Sequence, residues 1–443
     1  EGSEINVGAE FRKDTVEFDP HEFADAGDIA GFGEQVFPIH GSIDTKEIFG
    51  EARIPLVTGK LVQRLAFEGA FRESWYRNSR SEFSSDAYKL ALDLTAISGL
   101  RFRASQQGAN RAPNVQELFA PVQPDGFFRD PCAGPTPLAS ETQCALTGIT
   151  QGQYGHVAVV NASRFGYRAI MGGNEDLQPE NATTRTIGIV LQPRFFRGFN
   201  ATIDWWDIKL KDAISTVGAQ ALVDSCIASG DPVFCSRIHR DNNGSLWLTD
   251  GYVDDRLANL GGIRTRGIDG TADYSVSLAS LGTASFGFRG SYILHWNVDN
   301  GGLSTTYDCV GLFGEPCGIR PRWKHTAQAT WDAPHGLSLS LQWRHMSSVK
   351  LAALDPKFGL TDDVSPANTK LGTQNYLDIT TAFRLRKQLE LRIGVNNLLD
   401  RQPPLVVANT AAGGGPSSGN TYPEWYDPLG RYVYATVAAG FKP

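Results

Sequence analysis

The chain has 443 residues, 41% of them hydrophobic and 20% charged, with a formal net charge of -7. A mean hydropathy of -0.25 and the lack of any apolar run of about 18 residues exclude a membrane-spanning helix, and the acidic balance argues against nucleic acid as a partner. Neither excludes a spanning β-barrel, whose strands interleave polar and apolar side chains and so escape a hydropathy scan.

The elements follow one another with a period of two, which is the signature of strands. The chain opens in mid-strand with "EINVGAEFR", as a fragment of a longer protein would, and no signal peptide precedes it. "KEIFGEARIPL", "KLVQRLAFEGAFR", "AYKLALDLTAI", "LRFRAS", "TRTIGIVLQ" and "FNATIDWWDI" continue the alternation. "GIDGTADYSV" places Ile268, Ala272, Tyr274 and Val276 on one face, and "ASFGFRGSYIL" does so with Phe286, Phe288, Tyr292 and Leu294. "RWKHTAQATW" sets Trp323, Ala327, Ala329 and Trp331 against Lys324, Thr326, Gln328 and Thr330. "GLSLSLQWRH" sets Leu337, Leu339, Leu341 and Trp343 against Ser338, Ser340, Gln342 and Arg344. "YLDITTAFRLR", "LELRIGVNN" and "RYVYATVAAGF" close the chain in the same way. The expected total is about fourteen antiparallel strands of ~9–13 residues, against ~5–6 in an ordinary globular sheet. Nine to eleven residues at a tilt is roughly what a bilayer core requires.

Connection lengths alternate as well. Short turns such as "PLVTGK", "LASLG" and "DAPHG" are interleaved with long irregular loops, expected near 12–45, 109–180, 212–260, 297–321, 348–374 and 397–428, and a shorter one near 76–85. In an up-and-down barrel this puts all short turns at one end and all long loops at the other. Trp75, Trp205, Trp323, Trp331 and Trp343 stand near strand ends, as an aromatic girdle would. A soluble β-sandwich, with apolar faces meeting each other, has the same periodicity but neither the strand length nor the segregated loops.

The six cysteines fall into three close pairs, Cys132 with Cys144, Cys226 with Cys235 and Cys309 with Cys317. Sequence leaves their connectivity open. Nearest-neighbour disulfides are favoured because each pair lies inside one Gly/Pro-containing loop, and they point to an oxidising compartment. No CxxC occurs and the eight histidines show no ligand spacing, so no metal site is expected. Nor is a Ser/His/Asp set or a phosphate-cradling loop seen, and the Gly run "AAGGGPSSGN" at 411–420 reads as loop mobility; no enzymatic activity and no cofactor are expected.

Six segments carry a resemblance: "GANRAPNVQELF" at 108–119, "GNEDLQPENATTRTIGIVLQP" at 173–193, "ATIDWWDIKLKDAI" at 201–214, "NLGGIRTRGIDGTADYS" at 259–275, "VNNLLDRQPP" at 395–404 and "NTYPEWYDPLGRYVYATVAAGF" at 420–441. In this order they resemble the barrel of TonB-dependent outer-membrane receptors. The resemblance implies an all-β transmembrane barrel over residues 1–443, with about fourteen C-terminal strands of a barrel of about 22. The family's plug domain and TonB-contact segment are not visible here. Arg111, Pro113, Asn174, Leu177, Pro179, Glu180, Asn396 and Asp400 match family motif positions and are expected to shape the barrel, with Arg111 and Glu180 as partners, Pro113 and Pro179 stopping ladders, and Asn396, Asn397 and Asp400 making a turn. Phe441 stands where the family's terminal aromatic assembly signal belongs, although Lys442 and Pro443 follow it.

The resemblance further implies uptake across the outer membrane of a Gram-negative bacterium of a scarce, bulky solute, a ferric siderophore, glycan or similar molecule. Energy would come from TonB–ExbB–ExbD, with outer-membrane lipid, lipopolysaccharide and the barrel assembly machinery as further partners. A passive pore of about fourteen strands and a surface adhesin are the alternatives. Aromatic residues on the long loops, Phe127, Phe128, Tyr154, Tyr167, Trp247, Tyr307, Trp425 and Tyr426, are the candidate ligand contacts, because flat apolar faces with nearby amides suit sugars and planar chelates.

Overall fold

The computed structural model describes residues 2–26, 36–59, 62–160, 166–248, 250–299, 306–314, 317–354, 369–386, 388–406 and 421–440. Phe441 and the glycine run at 411–420 lie outside the described residues. The wall consists of β1 (Glu4–Phe18), β2 (Ile39–Val57), β3 (Arg64–Arg77), β4 (Glu82–Ile97), β5 (Leu100–Arg111), β6 (Glu180–Leu191) and β7 (Phe199–Lys211). It continues with β8 (Gly262–Ser277), β9 (Thr283–Asp299), β10 (Trp323–Asp332), β11 (Leu337–Met346), β12 (Gln374–Arg386), β13 (Leu389–Asn396) and β14 (Tyr432–Ala439). Each strand pairs antiparallel with the strands before and after it in sequence, so the wall is one continuous meander. Among the described residues β1 pairs only with β2 and β14 only with β13, which leaves the sheet open at both edges.

The two faces differ in burial as the alternation demands. Ile187 is 60% exposed, Leu341 44% and Val437 66%, all on the apolar face. In water such a surface would be a large unburied patch; in a bilayer it is solvated by acyl chains. On the other face the charges pair with one another: Arg103 donates to Asp204 at 2.8 and 2.6 Å, and Lys89 to Glu68 at 2.9 Å. Trp323 and Trp331 mark the height of the apolar band. They are about 26 Å apart along β10 at ~3.3 Å per residue, or roughly 20 Å of height at a tilt near 40°, close to the ~25 Å expected.

At the short-turn end, glycine fits where nothing else does. Gly198 has φ 83°, and a Cβ there would lie 2.1 Å from the Ser275 carbonyl oxygen. Gly282 has φ 96°, and its Cβ would lie 2.0 Å from the Asp332 carbonyl oxygen. The turns thus press against the neighbouring hairpins and fix the spacing of the lower rim.

The strands run further than their alternation. β1 and β2 stay paired out to Phe18 and Ile39, so the loop expected over 12–45 shrinks to 19–38. Beyond the bilayer both faces of a ribbon are wet, so the polar–apolar pattern fades while the hydrogen-bond ladder continues. The loop expected near 76–85 is a tight turn at 78–81, where Asn78 Oδ1 accepts from the backbone N–H of Arg80 and Ser81 at 2.8 and 2.7 Å. A bulge also interrupts the row expected to include Leu294. Arg266 opposes His295 and Gly267 opposes Ile293, so Leu294 is skipped and His295 takes up the outward position.

The described parts of the long loops are ordered into structure of their own. Those at 112–179 and 212–261 build a small sheet of Gln123–Phe127, Tyr167–Met171, Tyr252–Asp254 and Ile238–His239, joined by the helix Ala219–Ser229. Leu222, Val223, Phe234, Leu246 and Val253 form its core. A second core joins Phe313, Val349, Leu351, Leu371 and Tyr426 from the three loops that follow β9, β11 and β13.

Candidate ligand mouth and its loop domain

The motif residues tie the wall to these loops. Arg111, at the end of β5, donates from Nε to Glu180 Oε2 at 2.7 Å and from both terminal nitrogens to Glu117 at 2.8 and 2.9 Å. Glu117 also accepts from the Asn114 backbone N–H at 2.8 Å, while Asn114 Oδ1 accepts from the Glu117 N–H, giving a capping box for the helix Val115–Phe119. Pro113 lies between strand end and helix start, where no ladder hydrogen bond is needed. Glu180 opens β6 directly after Pro179 and accepts from the Ile214 N–H at 2.8 Å. One carboxylate therefore joins two strands and the start of the next loop. Asn114 and Glu117 were not singled out in the sequence, although N-x-x-E before an apolar run is a recognisable cap.

Asn174 Nδ2 donates to the Leu257 carbonyl at 3.0 Å, and Leu177 is buried with Ile43, Phe83 and Leu118. In the motif after β13, Asn397 does more than its neighbours. It is fully buried with φ 53°, donates its N–H to Asp378 Oδ1 at 2.7 Å, and bonds to Arg401 through both ends of its amide. Asn396 faces the interior beside Tyr434, and Asp400 accepts from the Arg431 N–H at 2.9 Å. Asp378 also receives Arg344 at 2.7 and 3.1 Å, and Arg344 reaches Asp427 at 3.0 and 2.6 Å, so the last long loop is clamped to β11 and β12 by charge. Contacts between distant strands of this kind leave no local sequence signal.

Above this clamp a cavity of about 670 Å³ opens on the interior side, lined by Asp269, Arg289, Lys324, Arg344, Tyr376 and Trp425 among others. The Lys324 ammonium lies 5.5 Å from the centre of the Trp425 ring. Its mixed charges and aromatic edges suit a polar, ring-bearing or multiply charged solute.

The aromatic candidates separate by burial. Phe127, Tyr167 and Tyr426 are loop-core residues with 3, 3 and 2% exposure. Burial raises the phenol pKa of Tyr167 and, further, that of Tyr426, as expected for hydroxyls withdrawn from water. Tyr154 donates its hydroxyl to the Ala139 carbonyl at 3.0 Å and Trp247 donates Nε1 to that of Ala158 at 3.1 Å, both against the same core. Tyr307 packs beside Cys309 and Cys317. Phe128 is 85% exposed and Trp425 lines the cavity, so these two present free ring surface.

Disulfides join Cys132 to Cys144, Cys226 to Cys235 and Cys309 to Cys317. The first two pin the same core, and a fully desolvated ion pair crosses it: Asp130 and Arg240, with side chains 0 and 3% exposed, bond at 2.7 and 2.9 Å. Arg240 also donates to Thr147 Oγ1 and the Gly244 carbonyl, which satisfies its fork. Asp255 is buried where the loop meets the helix Ala219–Ser229. Desolvation holds its pKa above the ordinary carboxylate value despite bonds from the Val217 and Gly218 N–H groups.

The family model described as TonB dependent receptor-like, beta-barrel matches residues 2–398. Among solved structures, a variant of the ferric enterobactin receptor PfeA of Pseudomonas aeruginosa superposes with a TM-score of 0.63 at 16% identity, over 99% of this chain and 51% of the receptor. The FrpB iron transporter of Neisseria meningitidis gives 0.54 at 13% identity, over 99% and 52%. The siderophore receptor PirA of Acinetobacter baumannii gives 0.52 at 13%, over 99% and 55%. At these identities the likeness is one of fold, and the chain spans about half the length of each structure. No curated protein matches it in sequence.

Proposed function

This chain belongs to the TonB-dependent receptor β-barrel family of the outer membrane, and from that premise we propose that the protein takes up a scarce, bulky solute by TonB-dependent, proton-motive-force-driven transport. The observation that carries the reading is the two-storey arrangement. A polar, charge-paired interior opens into a cavity of about 670 Å³ lined by β8 to β12 and by Glu424 and Trp425 of the last loop, and the loops that follow β5, β7 and β9 are cystine-tied. A solute bound there would contact Lys324, Arg344 and Trp425 before entering the barrel. The solved neighbours are named as iron or siderophore receptors, which supports a ferric chelate as the first solute class to test, with glycans second. Energy would reach the site through TonB–ExbB–ExbD, acting on the plug that the family places inside the barrel.

A closed fourteen-strand pore is the weaker reading, because it needs β1 paired with β14, and the described residues leave both edges open. Uptake of radiolabelled ferric siderophores and oligosaccharides by cells expressing the full-length gene is the direct test. Accumulation that disappears on deleting tonB, with surface binding retained, is the expected result. Accumulation independent of TonB would indicate a pore, and binding with no accumulation in either background would indicate an adhesin.

A further inference from the structure

Ladder register arranges the inward side chains around the cavity into rows. The row nearer the long loops runs Asp204, Asp269, Ser291, Lys324 and Met346 across β7 to β11. The next runs Thr271, Arg289, Thr326, Arg344 and Tyr376 across β8 to β12. The one below it holds Asp273, Gln328, Gln342 and Asp378.

Most charges in these rows are answered within the wall. Arg289 lies 3.3 Å from Asp273, Arg344 bonds to Asp378 and Asp427, and Asp204 receives Arg103 at 2.8 and 2.6 Å. Three are not. Among the described residues, Asp269, Lys324 and Glu424 of the last loop line the cavity, are exposed, and have no ion pair. Asp269 stands directly opposite Asp204, and Cβ atoms of direct partners lie ~4.5–5.5 Å apart, so two carboxylates meet there. Arg103 grips Asp204 with both nitrogens of its fork, which leaves Asp269 with no cation of its own. Like charges directly opposite one another destabilise a sheet, and a group kept at a cost to stability is characteristic of a binding position.

Lys324 faces Asp269 along the same row from two strands away, about 10 Å at ~4.8 Å per strand. Between them stands Ser291, and the row below adds the hydroxyls of Thr271 and Thr326 to the cavity lining. The Lys324 ammonium lies 5.5 Å from the centre of the Trp425 ring. That contact steadies the cation and leaves N–H donors for an acceptor, since an ammonium carries three.

From an unpaired carboxylate and an unpaired ammonium at the two ends of one hydroxyl-lined row, we propose that the solute held in this cavity is a zwitterion of the peptide class. Its amine sits on Asp269, its carboxylate on Lys324, and its body crosses Ser291 with one side chain against Trp425. The span matches an extended peptide of two or three residues, at ~3.3–3.6 Å per residue. Glu424 joins Asp269 in repelling a compact polyanion, because specificity is set by unpaired like charges as much as by attraction. A metal chelate fits this row when it carries such a peptide arm. The inference rests on reading the cavity as the entry site of a transported solute and narrows the class of that solute.

The test titrates the tripeptide Ala-Phe-Ala, with both termini free, into the detergent-solubilised full-length protein and reads binding by calorimetry. Acetylating its amine or amidating its carboxylate should each lower the affinity about tenfold. Asp269→Asn should weaken the free tripeptide by a similar factor and leave the acetylated form unchanged, and Lys324→Gln should do the same with the amidated form unchanged. Asp269→Asn removes one of two opposed like charges, so the heat-modifiable folded fraction should be retained. The ferric complex of catechol, a compact polyanion, should bind more weakly than the tripeptide. The proposal is overturned by absence of tripeptide binding, by equal affinity for the free and blocked forms, by unchanged affinity in Asp269→Asn or Lys324→Gln, or by tighter binding of the catechol complex. Each of those results leaves the transport reading standing, and that reading falls separately if cells accumulate solute independently of TonB.

Discussion

The wall and the loop domain solve folding in opposite ways. In the wall, large apolar residues such as Ile187, Leu341 and Val437 are the exposed ones, and charged residues such as Arg103, Asp204, Lys89 and Glu68 are inside, paired across strands. In the loop domain Leu222, Phe234 and Leu246 are fully buried, as in any soluble protein. One chain thus carries two burial codes, switched by whether a segment lies in hydrocarbon or in water. The order of a membrane wall rests on its ladders, whereas the loops need a packed core, and the disulfides are confined to them.

That contrast can be broken at chosen places. The largest effect is expected at the buried pair of the loop domain. Arg240→Ala strands Asp130 in a dry core and should cost about 3–5 kcal/mol, whereas Arg103→Ala on the wetter interior wall should cost about 1 kcal/mol or less. Limited proteolysis of loop and barrel reads both, and equal sensitivity of the two variants would contradict the assignment.

Next comes the lipid face itself. Leu341→Arg should cost about 2–4 kcal/mol near the midplane and deplete the heat-modifiable species, while the adjacent Gln342→Arg should assemble normally. Similar yields from the pair would reverse the facing assigned to β11. Reduction sharpens the comparison further: opening disulfides that span loops of this size removes roughly 2–3 kcal/mol. Loop cleavage should accelerate under reductant with the barrel band unchanged, and loss of the barrel would mean that the two regions fold as one.

The smallest effect concerns pH. Burial raises the pKa of Asp255 in the folded loop above its unfolded value, so folding takes up a proton. The stabilising contribution is complete below the ordinary carboxylate value and is lost as pH rises through the raised one. Loop resistance to protease should therefore increase as pH falls through that window. Asp255→Asn, which keeps an acceptor for Val217 and Gly218, should flatten the difference, and an unchanged slope in the variant would exclude Asp255 as its source.

Much of the wall was legible because a period of two is written residue by residue: the strand count, the two faces and the turn-and-loop alternation follow from it, while the pairing of neighbouring cysteines rested on each pair lying inside one loop. The ladder ends were not, since β1 and β2 continue where both faces are wet. Leu294 was misplaced for a related reason, because a bulge opposite Arg266 and Gly267 is a property of two strands at once. The candidate site was less legible. Phe127 and Phe128 are adjacent aromatics, yet one is core and the other exposed, and nothing in their local pattern separates them.

The sequence by itself determined which residues alternate, and hydrocarbon enforces that alternation because a charge on the wrong face has no solvent there. Tertiary structure decided what the long loops bury and how Asp378, Arg344 and Asp427 meet. Those are matters of register between strands far apart in the chain, and register is fixed by ladders and bulges that no single segment encodes.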